Sequence, residues 1–257
     1  MLILGGGYVG SRFAKLLQSQ HQQVAVFSRQ EKPATLLWQG EISKNLIDQG
    51  YDTLLMAVAP DTSADYESTY LATAKLLINS PLKHLIYTSS TSVYGEHQGA
   101  TVTETTPLAT SLSAVRTQTQ ILIATEKTLL NSDKKITCLR LGEIIGPGRD
   151  LQERLAKVTK PLAGTGSALT NIIHIEDILG ALMHVYKHQL LGIYNLVSDL
   201  HITRKKLYQL LAPHLTWDPS QKPLHGGNKR VSNEKIKRSG YTFHHSMPFA
   251  EHLALVN

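Results

Sequence analysis

Over the first 145 residues, short apolar or β-branched runs alternate with longer stretches of helical periodicity. The runs at Met1–Leu4, Gln23–Ser28, Thr53–Ala59, His84–Ser89 and Ile136–Leu141 predict strands. The patterns near Val9–Ser19, Ser63–Ile78 and Val115–Leu130 predict helices, the first with Phe13, Leu16 and Leu17 on one face. Strands that are apolar on both faces and separated by helices imply a parallel sheet covered on both sides. The predicted fold class is therefore α/β, a doubly wound parallel sheet. After Pro147-Gly148 the rhythm changes: Glu176–His188 and Thr203–Leu211 predict helices, Gly192–Val197 a strand, and Pro213–Lys229 is rich in Pro, Gly and His.

The first strand leads into Leu4-Gly5-Gly6-Gly7-Tyr8-Val9-Gly10, a G-x-G-x-x-G run at 5, 7 and 10. Such a run also arises as an ordinary glycine-rich turn; here it follows a strand and opens a helix, the context a dinucleotide site requires. Gly5 permits the tight turn, and Gly7 omits a side chain where a pyrophosphate approaches the backbone. Gly10 lets the helix pack on the strand, with its positive end toward the phosphates. Tyr8 and Val9 complete the loop, and Val58, Ala59, Thr88 and Ser89, at the ends of the third and fourth strands, are further candidate cofactor contacts.

The end of the second strand distinguishes the dinucleotides, because NAD sites commonly place an Asp or Glu there for the ribose hydroxyls. This chain reads Val24-Ala-Val-Phe-Ser28-Arg29-Gln30, and Glu31 comes late for that role. Arg29 can pair with a 2′-phosphate and Ser28 can hydrogen-bond it, which favours NADP over NAD; an ordinary exposed arginine is the other reading.

Composition narrows the class. With 257 residues, 42% hydrophobic and 18% charged, the chain can build a packed core. Its one cysteine, Cys138, excludes a disulfide framework, and the run Ile136-Thr-Cys-Leu-Arg-Leu141 predicts a buried, inert thiol. No apolar run reaches the roughly 18–20 residues of a membrane span. Met1-Leu-Ile-Leu4 runs into Gly5 without the shape of a signal peptide, so a soluble, cytoplasmic protein is expected. The net charge of +6 is uneven: residues 1–200 carry 17 Lys+Arg and 17 Asp+Glu, and residues 201–257 carry nine and three. This basic tail reads as solvated surface; it has few aromatics among its charges and no helix-turn-helix or RNA-recognition signature, which argues against nucleic acid as a partner.

Leu85-Ile-Tyr-Thr-Ser-Ser-Thr-Ser-Val-Tyr-Gly95 carries a buried strand into hydroxyl residues at its C-terminal end, where open α/β sheets place ligands. Three further runs follow in order: Leu139-Arg-Leu-Gly-Glu-Ile-Ile-Gly-Pro-Gly148, Asn171-Ile-Ile-His-Ile-Glu-Asp177 and Gly192-Ile-Tyr-Asn-Leu196. With the glycine loop, these motifs resemble the NAD(P)-dependent epimerase/dehydratase family, the extended branch of the short-chain dehydrogenases/reductases. The resemblance implies a Rossmann domain over 1–146 that binds NAD(P), and a smaller substrate-binding region over 147–257. That boundary stays open, since Gly192–Val197 could rejoin the main sheet. The resemblance also implies that Ser90 hydrogen-bonds the substrate oxygen that becomes a carbonyl. Ser90 is then joined by a Tyr and a Lys spaced Y-x-x-x-K, one helical turn apart. In the family the Lys holds the nicotinamide ribose and lowers the Tyr pKa, and the Tyr passes a proton.

The chain departs from the family at that helix, which reads Gln118-Thr-Gln-Ile-Leu122-Ile-Ala-Thr-Glu126. Glu126 fits the acid that follows the motif, which puts Gln118 at the tyrosine position and Leu122 at the lysine position. No tyrosine occurs between Tyr94 and Tyr186, so a slip of register restores nothing. Leu4 likewise stands at the first glycine of the extended G-x-x-G-x-x-G pattern. Both departures resemble the atypical members that keep the fold and lose the catalytic pair.

Two functions stay open. One is an NADP-dependent oxidoreductase, epimerase or dehydratase acting on a sugar-like or other small carbonyl or hydroxyl substrate. Ser90 would orient that substrate, with Tyr94 and Arg116 as candidate substrate or proton-transfer residues. The other is a non-catalytic NADP(H)-binding redox sensor or regulatory protein. Arg140 is expected to anchor its strand end or a loop, His174 to be structural, and Asp177 to cap a nearby helix. The 12 histidines do not fall into metal spacing, and adjacent His244 and His245 diverge if extended, so no metal is expected. A monomer or a homodimer is expected.

Overall fold

The computed structural model describes residues 1–29, 33–58, 66–109, 116–221, 227–249 and 251. Seven strands form one parallel sheet: β1 (Leu2–Leu4), β2 (Ala25–Ser28), β3 (Leu36–Leu37), β4 (Thr53–Met56), β5 (His84–Ser90), β7 (Lys135–Leu141) and β11 (Gly192–Leu196). Their order is β11-β7-β5-β4-β1-β2-β3, with Leu2 in register with both Ala25 and Leu54, and Leu54 with Leu85. The continuous apolar character of β1, β4 and β5 is explained by this position: Leu2, Ile3, Leu54, Leu55 and Ile86 are fully buried.

Helices α1 (Tyr8–Ser19), α2 (Lys44–Asp48), α3 (Thr73–Ile78) and α4 (Thr117–Leu130) belong with this sheet in sequence. α1 buries Val9, Phe13, Ala14 and Leu17, the face that its 3.6-residue period predicts. The continuous helix expected over Ser63–Ile78 differs in form: residues 67–72 wind as a π-helix before α3, and Thr73 Oγ1 donates to the Ser68 carbonyl five residues back. Its predicted start at 63–65 lies outside the described residues, as does Val115 of the α4 expectation.

The chain divides into two compact units. The first comprises Met1–Ser90, Ser111–Arg140 and Leu179–Tyr194, and the second Thr91–Thr110, Leu141–Ile178 and Asn195–Asn257. The backbone thus passes between them several times, and β11 lies in the main sheet beside β7.

In the second unit, short strands pair in twos: β8 (Glu143–Ile145) with β10 (Ile172–His174), β9 (Leu162–Ala163) with β12 (Trp217–Asp218), and β6 (Thr101–Val102) with β13 (Arg230–Val231). Around them lie α5 (Leu151–Ala156), the start of α6 (Ile175–Lys187), α7 (Arg204–Leu211) and α8 (Glu234–Arg238). Side chains cap two of these: Asp150 accepts the Glu153 N–H, and Thr203 Oγ1 accepts the Lys206 N–H. Leu151, Leu155, Ile172, Leu207 and Leu211 form the centre of this unit's core. Among the described residues no helix is long and apolar enough to cross a membrane. Cys138 is buried in β7, and burial, with Glu126 nearby, pushes its thiol well above the usual range, which keeps it protonated and unreactive.

Candidate functional site

The glycine loop is shaped by two close approaches and one opening. Gly5 has φ +113°, and a Cβ there would lie 2.5 Å from the Ala57 carbonyl oxygen. A Cβ on Gly10 would lie 2.0 Å from the Gly5 carbonyl oxygen and 3.0 Å from Ile3 Cγ2, so α1 meets β1 more closely than any side chain permits. Gly7, at the N-cap of α1, has nothing within 4 Å of its Cβ position. The helix N-terminus therefore opens to solvent at the point where a pyrophosphate needs room. Val9 is buried, while Tyr8 is half-buried and lies under Arg12, whose guanidinium carbon is 3.9 Å from the ring centroid.

At the end of β2, Ser28 is buried and Arg29 is exposed, with Arg29 Nη1 donating to Thr69 Oγ1 at 2.9 Å. The contact orders the guanidinium beside the strand end. Glu31 lies outside the described residues. Val58 is buried just beyond β4, and Ala59 lies outside the described residues.

The serine strand turns part of its hydroxyl row inward. Thr88 Oγ1 donates to the Met56 carbonyl at 3.3 Å, and Ser89 Oγ donates to Glu126 Oε1 at 2.6 Å. Glu126 in turn receives Arg140 Nη2 at 2.6 Å and Nε at 3.1 Å, in an ion pair with both side chains almost wholly buried. This bidentate pair joins α4, β5 and β7, so Arg140 anchors strands rather than facing ligand. Ser90, next to Ser89, is half-buried at the end of β5.

On α4, Gln118 is exposed and Leu122 is buried, and Arg116 is exposed at the N-cap. The helix contains no tyrosine, and its one lysine, Lys127, sits in the last turn. A titrating phenol with a neighbouring ammonium is thus absent from this helix.

In the second unit, Thr91–Tyr94 forms a 3-10 turn. Tyr94 is fully buried and its hydroxyl donates to Asn195 Oδ1 at 2.8 Å, while the Asn195 N–H is bound by Glu104 Oε1. The phenol is therefore tied into the unit's interior. A cavity of about 240 Å³ in this unit is lined by Thr165, Gly166, Ser167, Arg204, Trp217 and Asn228, among others. The buried Trp217 Nε1–H has no hydrogen-bond acceptor among the described residues.

Sequence reasoning missed Lys229, which is buried and donates to the Gly95 carbonyl at 3.1 Å. Burial lowers its pKa to about 8. The folded state therefore releases this proton before the unfolded chain does. Below about pH 8 the full cost of burying the charge applies, and it is relieved as pH rises toward 10.5, so stability should climb across that window. The expected slope is at most about 1.4 kcal/mol per pH unit. Urea midpoints of the parent measured against Lys229→Met isolate it from other titrations, and a difference independent of pH would refute it.

Asp177 differs from its expected helix-capping role. Its buried carboxylate accepts the backbone N–H groups of His244 at 2.7 Å and His245 at 3.0 Å, which brings that segment to the start of α6. His245 then meets Glu176 and His174, a group that spacing along the chain does not anticipate. Burial, then His245, lowers the His174 pKa and keeps the imidazole neutral near pH 7.

Sheet order, glycine loop and serine strand define a Rossmann-like α/β protein. The family model described as NAD dependent epimerase/dehydratase family matches residues 1–196, and the chain belongs to that family. It is 34% identical over 176 residues to protein YeeZ of Escherichia coli K12, a match that spans 66% of this chain and 61% of that relative. A conserved protein of unknown function from Silicibacter pomeroyi DSS superposes with TM-score 0.78 at 25% identity, covering 99% of this chain and 97% of its own. The human epimerase family protein SDR39U1, solved with NADPH, shares the fold with TM-score 0.73 at 17% identity, covering 96% and 95%.

Proposed function

We propose that the protein binds NADP(H) across Gly5–Gly10 and acts as an NADP-dependent oxidoreductase, epimerase or dehydratase on a small carbonyl or hydroxyl substrate. The observation that carries this reading is the open Cβ position of Gly7 between two sterically obligatory glycines, which leaves the backbone at the start of α1 open to a pyrophosphate. Backbone N–H groups at the start of α1 would hold the phosphates, and Ser28 with Arg29 would hold the 2′-phosphate. Val58, Ala59, Thr88 and Ser89 would line the dinucleotide. The bound cofactor supplies or accepts a hydride. Ser90 would hydrogen-bond the substrate oxygen, with Arg116 as a further substrate residue. Solved neighbours of this fold hold NADPH in one case and NAD in others, so the analogy of fold supports a nicotinamide dinucleotide, and the choice of NADP rests on Ser28 and Arg29. In the second unit, the cavity with Arg204 and Ser167 suits a small polar ligand.

Titration of NADPH and NADH by calorimetry tests the cofactor assignment. Arg29→Ala should lose about 1.5–3 kcal/mol of NADPH affinity, roughly tenfold or more, with NADH affinity nearly unchanged. Equal or tighter binding of NADH to the parent would sink it.

A second reading, a non-catalytic NADP(H)-binding sensor, is favoured by α4 itself. An exposed Gln118 can hydrogen-bond but has no proton to exchange near neutral pH, and Leu122 offers no cation. General acid–base catalysis contributes about 10²–10⁴-fold, so ordinary substrates of the extended enzymes should turn over feebly. Gln118→Tyr/Leu122→Lys is expected to raise NADPH-linked reduction of a test carbonyl, and Ser90→Ala to remove the gain. Robust turnover by the parent that Ser90→Ala leaves intact would overturn this catalytic map.

A further inference from the structure

His174 ends β10, Glu176 lies in the first turn of α6, and His245 arrives from the segment that follows α8, so the three meet only in the folded second unit. One ligand atom from each lies within 4.8 Å of the other two. Glu176 Oε2 is the common point, 2.7 Å from His245 Nε2 and 3.9 Å from His174 Nδ1. The imidazoles lie against each other, 3.8 Å between ring centroids. His174 Nδ1 accepts the Glu176 backbone N–H at 3.3 Å, so it is the unprotonated nitrogen of the ring, and an ion there would displace this long hydrogen bond.

We propose that His174, Glu176 and His245 bind one divalent transition-metal ion of the zinc type. Two imidazole nitrogens and a carboxylate oxygen are the donor set of a site with three protein ligands and a fourth position for water. Tetrahedral coordination at about 2.0–2.2 Å needs donors roughly 3.3–3.5 Å apart. The observed 2.7 and 3.9 Å bracket that spacing, and Glu176, 62% exposed, has room to rotate into it. The ion would take the place of the proton between His245 and Glu176 and of the long contact at His174 Nδ1. Magnesium and calcium, which favour shells of six or more oxygens, suit this set poorly.

The histidines are held from behind, as ligands need to be. Asp177 fixes the N–H groups of His244 and His245, and the Asp199 N–H binds the Ser246 carbonyl at 2.7 Å, so the backbone is tied on both sides of His245. The Tyr241 hydroxyl donates to the Asp177 carbonyl at 2.8 Å and secures the same segment. On the other side, a Cβ on Gly146 would lie 3.1 Å from His174 Nε2, so that ring is packed against backbone. A bound ion would therefore join the segment after α8 to the start of α6.

A second histidine pair, His184 and His188 on α6, has ring centroids 4.6 Å apart and is the natural competitor. The test is a Zn²⁺ titration of the full chain against a chromophoric chelator, on the parent, His174→Ala, His245→Ala, Glu176→Gln and the His184→Ala/His188→Ala double variant. The parent should bind one tight equivalent. Loss of a direct ligand should weaken it by at least the roughly 10–100-fold that loss of an outer partner costs. The double variant should retain the tight site. Zn²⁺ should raise the melting temperature of the parent and leave that of His245→Ala unmoved. Glu176→Gln, at an exposed position, keeps the test open should a histidine variant fold poorly. Absence of competitive Zn²⁺ binding overturns the proposal. So does a tight site that survives His245→Ala and Glu176→Gln, or one lost in the double variant.

Discussion

Gly7→Val is expected to fold as the parent does and to lose dinucleotide binding. Nothing lies within 4 Å of the new Cβ, and φ −87° suits a valine, so the fold should absorb the change. The isopropyl group would instead occupy the space over the α1 N-terminus where phosphate oxygens must reach backbone N–H groups. Losing two charge-assisted contacts of about 1.5–3 kcal/mol each lowers affinity by more than about 100-fold, below ordinary calorimetric detection. Gly10→Val serves as the contrast, because its Cβ meets a carbonyl oxygen at 2.0 Å and should prevent folding altogether. Unchanged NADPH affinity in a folded Gly7→Val protein would place the dinucleotide elsewhere.

Arg140→Met should cost about 3–5 kcal/mol of stability, the characteristic result of leaving one member of a buried ion pair behind. Glu126, with no exposed side chain, would lose its cation and keep the Ser89 hydroxyl and the Cys138 thiol, neither of which carries a positive charge. Arg140→Met/Glu126→Leu should recover much of the loss, because it removes both charges and fills the space. Urea unfolding of both single variants and the double gives the coupling directly. Additive losses would mean that the pair is not the source of the effect. The same cycle bears on the site, since the carboxylate holds Ser89 beside Ser90.

The sheet was legible because β1, β4, β5 and β7 are buried on both faces and so read as continuous apolar runs. β3 was not: Leu36 and Leu37 are exposed at the sheet edge, and two residues carry no period. The two- and three-residue pairs of the second unit escaped for a similar reason, since strands such as Arg230–Val231 gain their register from Thr101–Val102, more than a hundred residues away. The glycine loop was legible through sterics, as Gly5 and Gly10 answer to close backbone approaches that local sequence announces. Lys229 and the grouping of His174 with His245 depend on long-range placement, the latter through the buried Asp177, and no spacing rule reports it.

The interleaving of the two units sets an order on synthesis. β7 lies between β5 and β11, and β11 ends at Leu196, so a nascent chain halted after residue 146 has a full-length β7 with no outer neighbour. Six of its seven residues are buried in the finished protein, and Thr137 Oγ1 would lack the Leu190 carbonyl to which it donates. A bare, apolar sheet edge of that kind recruits other chains. At about 5–20 residues per second the ribosome leaves it uncovered for several seconds before β11 emerges. The first half of this protein is therefore a poor candidate for expression by itself, and its solubility depends on the strand that arrives last.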